Sequence, residues 1–213
     1  GYQKNVIDRI KSSQRDENEN IKKAAGIIAK KIVKGGLLFT FGTGHSFLIA
    51  ADVLHRAGGL ACVEVVNEPS LNSLHQIPKS ELMERVEGIS KVTFDYYGIT
   101  ENDALIIISN SGRNAAPIEM AIIAKEHKVP VIAITSLKHS KGTSSRYSQG
   151  KKLYEIADVI VDNHCPKGDC IIQLDEFAQP IGPSSSITGM FIIHSIIVQT
   201  IISLIEVGNY DPP

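Results

Sequence analysis

Five short apolar runs along the chain alternate with segments in which apolar residues recur every three or four positions. The clearest run is ALIII at 104–108, which shows no alternation of polar and apolar residues. Such a run is typical of a strand buried on both faces of a parallel sheet. The predicted strands are 37–41, 61–66, 104–108, 129–134 and 159–161.

The remaining apolar residues follow a helical period in several segments. Residues 3–34 predict two helices around the polar segment RDENEN, ended by Gly35 and Gly36. Ser80 is a suitable N-cap for a short helix over 80–88. Further helices are expected over 47–57, 116–127 and 151–157, with a long loop over 137–150 and irregular chain over 163–183.

This alternation predicts an α/β fold of one domain, 1–213, with a doubly wound five-stranded parallel sheet of the flavodoxin-like type. N-terminal helices occupy 1–34, the sheet core 37–161, and a long apolar C-terminal helix, capped within 184–186, occupies 184–207. The common strand order for such a sheet is 2-1-3-4-5. The apolar stretch 187–205 is interrupted by His194, Ser195, Gln199 and Thr200, so a core or subunit-interface helix is favoured over a membrane span.

Composition limits the class of protein. The chain has 43% hydrophobic and 21% charged residues and a formal net charge of −1, without the basic excess of a nucleic-acid binder. Three cysteines and no recognisable secretory signal favour a cytoplasmic protein. We therefore expect neither a nucleic acid nor a membrane as partner.

Candidate chemistry lies where three of the predicted strands end in small polar residues. Because the carboxyl ends of parallel strands share one edge of a sheet, these turns should lie together and offer N–H groups and hydroxyls to an anion. Serine and glycine are also ordinary turn residues, but three such turns at one edge favour a bound phosphate. The candidate binding residues are Gly42, Thr43, Gly44, Ser46, Ser109, Asn110, Ser111, Gly112, Asn114, Thr135 and Ser136.

Three of these segments carry a family resemblance: GTGHS at 42–46, ISNSGRNAAPIEMA at 108–121 and VPVIAITS at 129–136. They resemble the SIS (sugar isomerase) domain, a phosphosugar-binding module, and the whole chain resembles stand-alone bacterial SIS proteins, some labelled phosphoheptose isomerases. The resemblance implies that Ser46, Ser109, Asn110 and Ser111 contact the sugar phosphate or its hydroxyls. It also implies a site shared between subunits of a homodimer or higher homo-oligomer, which the apolar terminal helices favour as well.

The resemblance does not supply the reacting groups. Heptose isomerases and the related etherases place a functional Glu where this chain has Arg56, and the heptose isomerases place a zinc-binding His where it has Asp52. The local candidates are Glu68 as base, His45 and His55. A solvated loop carboxylate, a turn-stabilising histidine and a core histidine are the respective alternatives.

No cofactor or metal is expected, because the spacing of His164, Cys165 and Cys170 does not match a zinc site. Ser145–Arg146 and Lys151–Lys152 form a basic set that either closes on the phosphate or is simply solvated. The sequence favours an aldose–ketose phosphosugar isomerase. A non-catalytic phosphosugar-sensing module and an etherase or lyase acting on an amino-sugar phosphate stay open as alternatives.

Overall fold

The computed structural model describes residues 1–74 and 76–208 and has a parallel five-stranded sheet at its centre. The strand order is β2-β1-β3-β4-β5, so the predicted fold class and order are confirmed. The strands are β1 (Leu38–Gly42), β2 (Val63–Val65), β3 (Ala104–Ile108), β4 (Val131–Thr135) and β5 (Val159–Asp162).

Helices cover both faces of this sheet. They are α1 (Tyr2–Asp16), α2 (Asn18–Ile32), α3 (Ser46–Ala51), α4 (Ile77–Met83), α5 (Ile89–Tyr97), α6 (Ala115–Glu126), α7 (Leu137–Lys141) and α8 (Ser185–Glu206). One hydrophobic core lies between the sheet and α2, α3 and α8, and a second lies between the sheet and α5 and α6. Ile106 and Ile108 enter the first core while Leu105 and Ile107 enter the second. Burial on both faces therefore explains the continuous apolar run of β3.

The register of the central strands determines where the polar turns begin. β1 pairs with β3 along its whole length, from Leu38 beside Ala104 to Gly42 beside Ile108. Both strands end at the same level, so the turns that follow them start side by side. This is the topological switch point of the sheet, where open α/β folds bind ligands.

Several predictions of local structure differ from the observed elements. The helix predicted over 151–157 is only a 3₁₀ turn at Leu153–Glu155, and the loop predicted over 137–150 begins with α7. The helix after β1 ends at Ala51 rather than at residue 57, because the chain then turns through His55 at φ +43° and Gly58 at φ +77°. The N-cap prediction for Ser80 is wrong, since α4 begins at Ile77 with Pro78 in its first turn. Ser80 is buried within this helix, and its hydroxyl donates to the Ile77 carbonyl at 2.9 Å.

The segment predicted as irregular over 163–183 contains an antiparallel hairpin, β6 (Cys170–Leu174) with β7 (Phe177–Pro183). Its short strands and the prolines within β7 hide it from a pattern search. The loop that enters it also caps α8. Ser184 is the N-cap residue, but the cap is the Asp169 carboxylate, which accepts from the N–H groups of Ser184 and Ser185 at 3.0 and 2.8 Å.

The helix α8 is long and apolar enough to cross a membrane by length and composition alone. One face of it packs into the first core through Ile192, Ile193, Ile196 and Ile197. Its main neighbours are α2, α1 and α3. It is therefore a core helix of this fold, with its opposite face exposed.

Candidate functional site

The turns after β1 and β3 form one wall of a cavity of about 250 Å³ at the carboxyl edge of the sheet. We call this cavity the serine pocket. Eight of the predicted residues line it: Thr43, Gly44, His45, Ser46, Ser109, Asn110, Ser111 and Asn114. The opposite wall comes largely from α4 and from Glu84, the residue that follows its last turn. Besides the eight predicted residues, the lining contains Ser73, Ile77, Ser80, Glu81, Glu84 and His139.

Glycine is required in the first turn for steric reasons. A Cβ at Gly42 would lie 2.5 Å from the Ser46 carbonyl oxygen, closer than real side chains approach a backbone. Gly44 has φ +55° and its N–H donates to the Leu71 carbonyl at 2.8 Å. The chain can therefore fold back tightly enough to start α3 at Ser46.

The second turn is held by contacts among its own residues and by a neighbouring loop. The N–H of Gly112, at φ +55°, donates to Ser109 Oγ at 3.2 Å. Asn110 Oδ1 accepts from Asn163 Nδ2 at 2.9 Å. These contacts orient the turn, while Ser111 has no side-chain hydrogen bond of its own within the described residues and lines the pocket.

Thr135 and Ser136 are not brought to the lining. Both are fully buried beneath the second turn. Thr135 Oγ1 donates to the Ser109 carbonyl at 2.7 Å, and Ser136 Oγ donates to the Cys165 carbonyl at 2.6 Å. Their position supports the turn from below. Gly112 belongs to the turn, does not line the pocket, and lies so close to this support that an added Cβ would be 3.0 Å from Ser140 Oγ.

Glu84, which the sequence patterns did not single out, is the best-positioned carboxylate in the serine pocket. Thr43 Oγ1 donates to its Oε2 at 2.7 Å, and Asn114 Nδ2 donates to its Oε1 at 2.5 Å. Burial raises the pKa of the Glu84 carboxyl, although the hydrogen bond from Thr43 and the charges of Arg146 and Arg85 lower it. The result is a fixed carboxylate, beside the two polar turns, whose pKa is raised from its ordinary value.

The sequence held a signal for this residue. Ile77, Ser80, Glu81 and Glu84 follow the i, i+3, i+4, i+7 spacing that places side chains on one face of a helix. All four line the serine pocket. The pattern could have been found, but nothing in the sequence indicated that α4 returns to the edge formed by β1 and β3.

Two histidines line the pocket. His45 is exposed at the start of α3, within the first turn, as expected. His139 on α7 is partly buried, and its Nδ1 lies 3.5 Å from Asn110 Nδ2. Burial lowers the pKa of the His139 imidazole, and the nearby cation Arg113 lowers it further while Asp169 raises it.

The structure does not bring Glu68 and His55 to the serine pocket. The Glu68 carboxylate accepts from the N–H and the hydroxyl of Ser70, at 3.0 and 2.6 Å, and borders a separate depression with Gln76 and Lys79. His55 lies beyond the end of α3 and is exposed, rather than on a helix or in the core. Neither side chain reaches the two polar turns from within the same protomer.

The positions that the heptose isomerases use lie in another cluster. His194 Nε2 on α8 is 2.6 Å from Asp52 Oδ2, and Arg56 forms an ion pair with the same carboxylate. Arg56 Nη1 also lies 3.4 Å from His194 Nε2, so the cluster offers one carboxylate and one imidazole beside a cation. Zinc is held by three or four protein ligands, so these residues do not fit a zinc ion. Within residues 1–74 and 76–208, no group of three or more His, Cys, Asp or Glu side chains is arranged to hold a metal.

The basic set after α7 is already engaged by the protein. Lys152 is buried, and its Nζ donates to the carbonyls of Ser140 and Thr143 at 2.5 Å. Arg146 Nη1 donates to Asn114 Oδ1 at 3.0 Å. Lys151 is the one lysine of the pair left at the surface. Arg146 and Lys152 therefore bind other groups of the protein and do not extend into the pocket.

A model of the SIS domain family matches residues 1–136 of the chain. A UPF0309 protein of Halalkalibacterium halodurans is 42% identical over 209 residues, covering 97% of this chain and 86% of that protein. The chain therefore belongs to the SIS domain family and to the UPF0309 family of proteins, which confirms the resemblance inferred from its motifs.

Solved structures with the same fold include a phosphoheptose isomerase and a protein complexed with ManNAc-6P. Phosphoheptose isomerase from Neisseria gonorrhoeae has a TM-score of 0.60 at 17% identity and covers 92% of this chain and 93% of its own. The Vibrio vulnificus NanR protein complexed with ManNAc-6P has a TM-score of 0.56 at 12% identity, covering 97% of this chain and 65% of its own. At these identities the likeness establishes the fold alone.

Proposed function

We propose that this protein binds a phosphorylated sugar in the serine pocket and isomerises it between its aldose and ketose forms, with Glu84 as the base. The observation that carries the proposal is a partly buried carboxylate facing two polar turns at the switch point of the sheet. The protein would act as a cytoplasmic enzyme on a small metabolite.

The first part of the proposal, phosphate binding, is supported by the donors in the two turns. Ser46, Ser109 and Ser111 offer hydroxyls, and α3 and α6 begin immediately after the turns, with their N–H groups directed at the same edge. Members of the fold family known from solved structures include a complex with ManNAc-6P. A phosphate at this position would leave the sugar between the turns and α4.

The second part, isomerisation, needs a base that removes a proton from the carbon next to the carbonyl and returns it to the neighbouring carbon. Glu84 suits this task because its two oxygens are fixed by Thr43 and Asn114 while burial raises its pKa towards the working range. The hydroxyl proton of the sugar moves to the carbonyl oxygen in the same exchange, so that no co-reactant is consumed. His45 and His139 are the neighbouring groups that can assist opening of the sugar ring.

Phosphosugar sensing without catalysis is the main alternative. It is favoured by the cluster in which Asp52 and Arg56 replace the catalytic and zinc-binding residues of the heptose isomerases. An etherase reaction would need a second carboxylate beside Glu84, for which Glu81 is the one available in the pocket lining. Proton exchange distinguishes sensing from both reactions.

Binding is tested by thermal shift with pentose 5-phosphates, hexose 6-phosphates and a heptose 7-phosphate. We expect at least one compound to raise the melting temperature and Ser111→Ala to reduce that rise. Ser12→Ala is the matched control, because Ser12 lies on α1 outside the pocket and its hydroxyl donates to the Asp8 carbonyl. An undiminished shift in Ser111→Ala would exclude the serine pocket as the phosphate site.

Catalysis is tested by NMR of the best ligand in heavy water. An isomerase incorporates deuterium at C1 or C2, whereas a sensing module leaves both positions unchanged. Binding without exchange by any ligand of the panel would establish the sensing alternative.

We also propose that the protein is a homo-oligomer. The outer face of α8 exposes Ile187, Val198, Ile202 and Ile205, a pattern more typical of an interface than of a solvated helix. Light scattering of the wild type should give at least twice the mass of one chain. Val198→Glu should shift the mass towards the monomer, whereas Lys138→Glu, at an exposed position of α7, should not.

A further inference from the structure

Arg146 lies on the segment after α7 and does not line the serine pocket, but a chain of hydrogen bonds connects it to Glu84. Its Nη1 donates to Asn114 Oδ1 at 3.0 Å. The other end of the same amide, Nδ2, donates to Glu84 Oε1 at 2.5 Å. Thr43 holds the second carboxylate oxygen. The guanidinium of Arg146, the amide of Asn114 and the carboxylate of Glu84 are thus joined by two successive hydrogen bonds, from the surface to the pocket.

The amide of Asn114 can satisfy both neighbours in only one orientation. With the oxygen towards Arg146 and the NH₂ group towards Glu84, each contact is a charge-assisted hydrogen bond. After a half turn, NH₂ would face the guanidinium and the amide oxygen would face the carboxylate, and both contacts would be repulsive. Within the described residues, Arg146 is the one side chain that donates to Asn114 Oδ1. The guanidinium therefore fixes the orientation of the amide.

Arg146 is itself held in place by its surroundings. Its backbone N–H donates to the Arg113 carbonyl at 2.7 Å. Two residues further on, the N–H and the hydroxyl of Ser148 donate to the Glu87 carboxylate at 2.8 and 2.9 Å. Glu87 follows α4 closely, so the segment that carries Arg146 is joined to the segment that carries Glu84. An arginine restrained in this way is organised before any ligand binds.

We propose that Arg146 is a positioning residue for Glu84 and acts through Asn114, keeping the amide directed at the carboxylate and the carboxylate directed at the ligand. The assignment of Glu84 as the base rests on the proposed function. The hydrogen-bond relay itself is a property of the free protein. It can therefore be tested without knowledge of the substrate.

Several charged groups face Glu84. Arg85 is its neighbour in the chain, Glu81 lies one helical turn earlier, and His45 and His139 lie across the pocket. Arg146 and Arg85 both lower the pKa of the Glu84 carboxyl through their charges, with the larger effect from Arg146. Arg85 has no hydrogen bond to Asn114, so Arg85→Gln removes a nearby charge and leaves the relay intact. Because the charge of Arg85 has the smaller effect on Glu84, a double-mutant cycle with Asn114→Ala, and not the size of the shift alone, identifies the relay.

The test is a pH titration of the glutamate side-chain carboxyl carbons by ¹³C NMR in the ligand-free protein, with Glu84→Gln identifying the Glu84 signal. Arg146→Gln should move the midpoint of Glu84 to higher pH by more than Arg85→Gln does. Arg146→Lys keeps a donor and a charge, so its midpoint should lie between those of the wild type and Arg146→Gln. Equal shifts in Arg146→Gln and Arg85→Gln would overturn the proposal, because charge alone would then explain both.

A double-mutant cycle separates the relay from direct electrostatics. In an Asn114→Ala background, Arg146→Gln should move the Glu84 midpoint by less than it does in the wild type, because the connecting amide is gone. Additive shifts would overturn the relay. These titrations need no ligand, so a protein that binds no sugar phosphate but shows the non-additive shifts would refute the proposed function and leave the role of Arg146 standing.

Discussion

The two walls of the serine pocket are built in different ways. The wall at the strand ends follows directly from β1 and β3, whose full pairing places Gly42 beside Ile108 and starts both polar turns at one level. The wall from α4 comes from a seven-residue helix that exposes Ile77 and Leu82 and is fastened near its end by Glu84 and Glu87. The first wall is fixed by the sheet, whereas the second depends on a few polar side chains.

Under the proposed function, this difference assigns binding to one wall and proton transfer to the other. Hydroxyls and backbone N–H groups on the sheet wall suit a phosphate, which needs donors in a rigid arrangement. The carboxylate on the α4 wall suits proton transfer, which needs a group whose pKa can be adjusted by its contacts. Substitutions in the two walls should therefore affect different measurements.

The largest effect is expected from Glu84→Gln. The amide cannot accept a proton from carbon, so deuterium exchange into the bound sugar should fall by about 10²–10⁴-fold, the usual contribution of a general base. Binding of the sugar phosphate should change little, because the donors of the sheet wall are intact. Glu126→Gln is the matched control, because Glu126 is exposed at the end of α6 and does not line the pocket. Exchange at the wild-type rate in Glu84→Gln would show that another group is the base.

The next effect concerns the stability of the sheet wall. Gly112→Ala introduces a Cβ at φ +55°, 3.0 Å from Ser140 Oγ and 3.3 Å from Thr135 Oγ1, and should lower the free energy of unfolding by about 1–3 kcal/mol. Gly150→Ala is the control, since Gly150 has φ +73° but open space around its Cβ position. Urea denaturation should show the larger loss for Gly112→Ala. Equal losses would mean that the backbone angle, and not the packing beneath the turn, requires the glycine.

A smaller effect should link the two walls. Thr43 belongs to the first turn, and its hydroxyl lowers the pKa of Glu84 on the α4 wall. Thr43→Val removes this hydrogen bond, so the pKa of the Glu84 carboxyl should rise further above the ordinary value. Because the base must be ionised, the acidic limb of the exchange rate should move to higher pH. Thr100→Val is the matched control, because the Thr100 hydroxyl also donates to a carboxylate, that of Asp103 at 2.9 Å, but lies before β3 and away from the pocket. It should leave the profile unchanged, and an unmoved profile in Thr43→Val would contradict the role of the hydroxyl.

The sheet wall could be predicted from the sequence because each of its features is local. An apolar run, a polar turn and a helix start are adjacent in the chain, and the parallel sheet places such turns together without further information. Even there, the sequence could not distinguish Ser111, which lines the pocket, from Ser136, which is buried beneath the turn. That distinction depends on the loop containing Cys165, whose carbonyl accepts the Ser136 hydroxyl.

The α4 wall could not be predicted because its position depends on contacts across long stretches of chain. Glu84 meets Thr43 from 41 residues earlier and Asn114 from 30 residues later. Glu68 was the more obvious carboxylate, since it follows β2 at the correct edge of the sheet. Its own neighbour Ser70 supplies two donors and turns it into a local loop contact.

The smallest effect is therefore expected from Glu68→Gln. The amide oxygen of glutamine can still accept from the N–H and hydroxyl of Ser70, so stability should change by no more than about 0.5 kcal/mol. Deuterium exchange should stay at the wild-type rate, because this side chain borders a separate depression from the one that contains Glu84. A loss of exchange in Glu68→Gln with normal binding would place the base on Glu68 after all. Since Glu68 does not reach the serine pocket of its own protomer, such a result would require the site to be completed across a subunit interface.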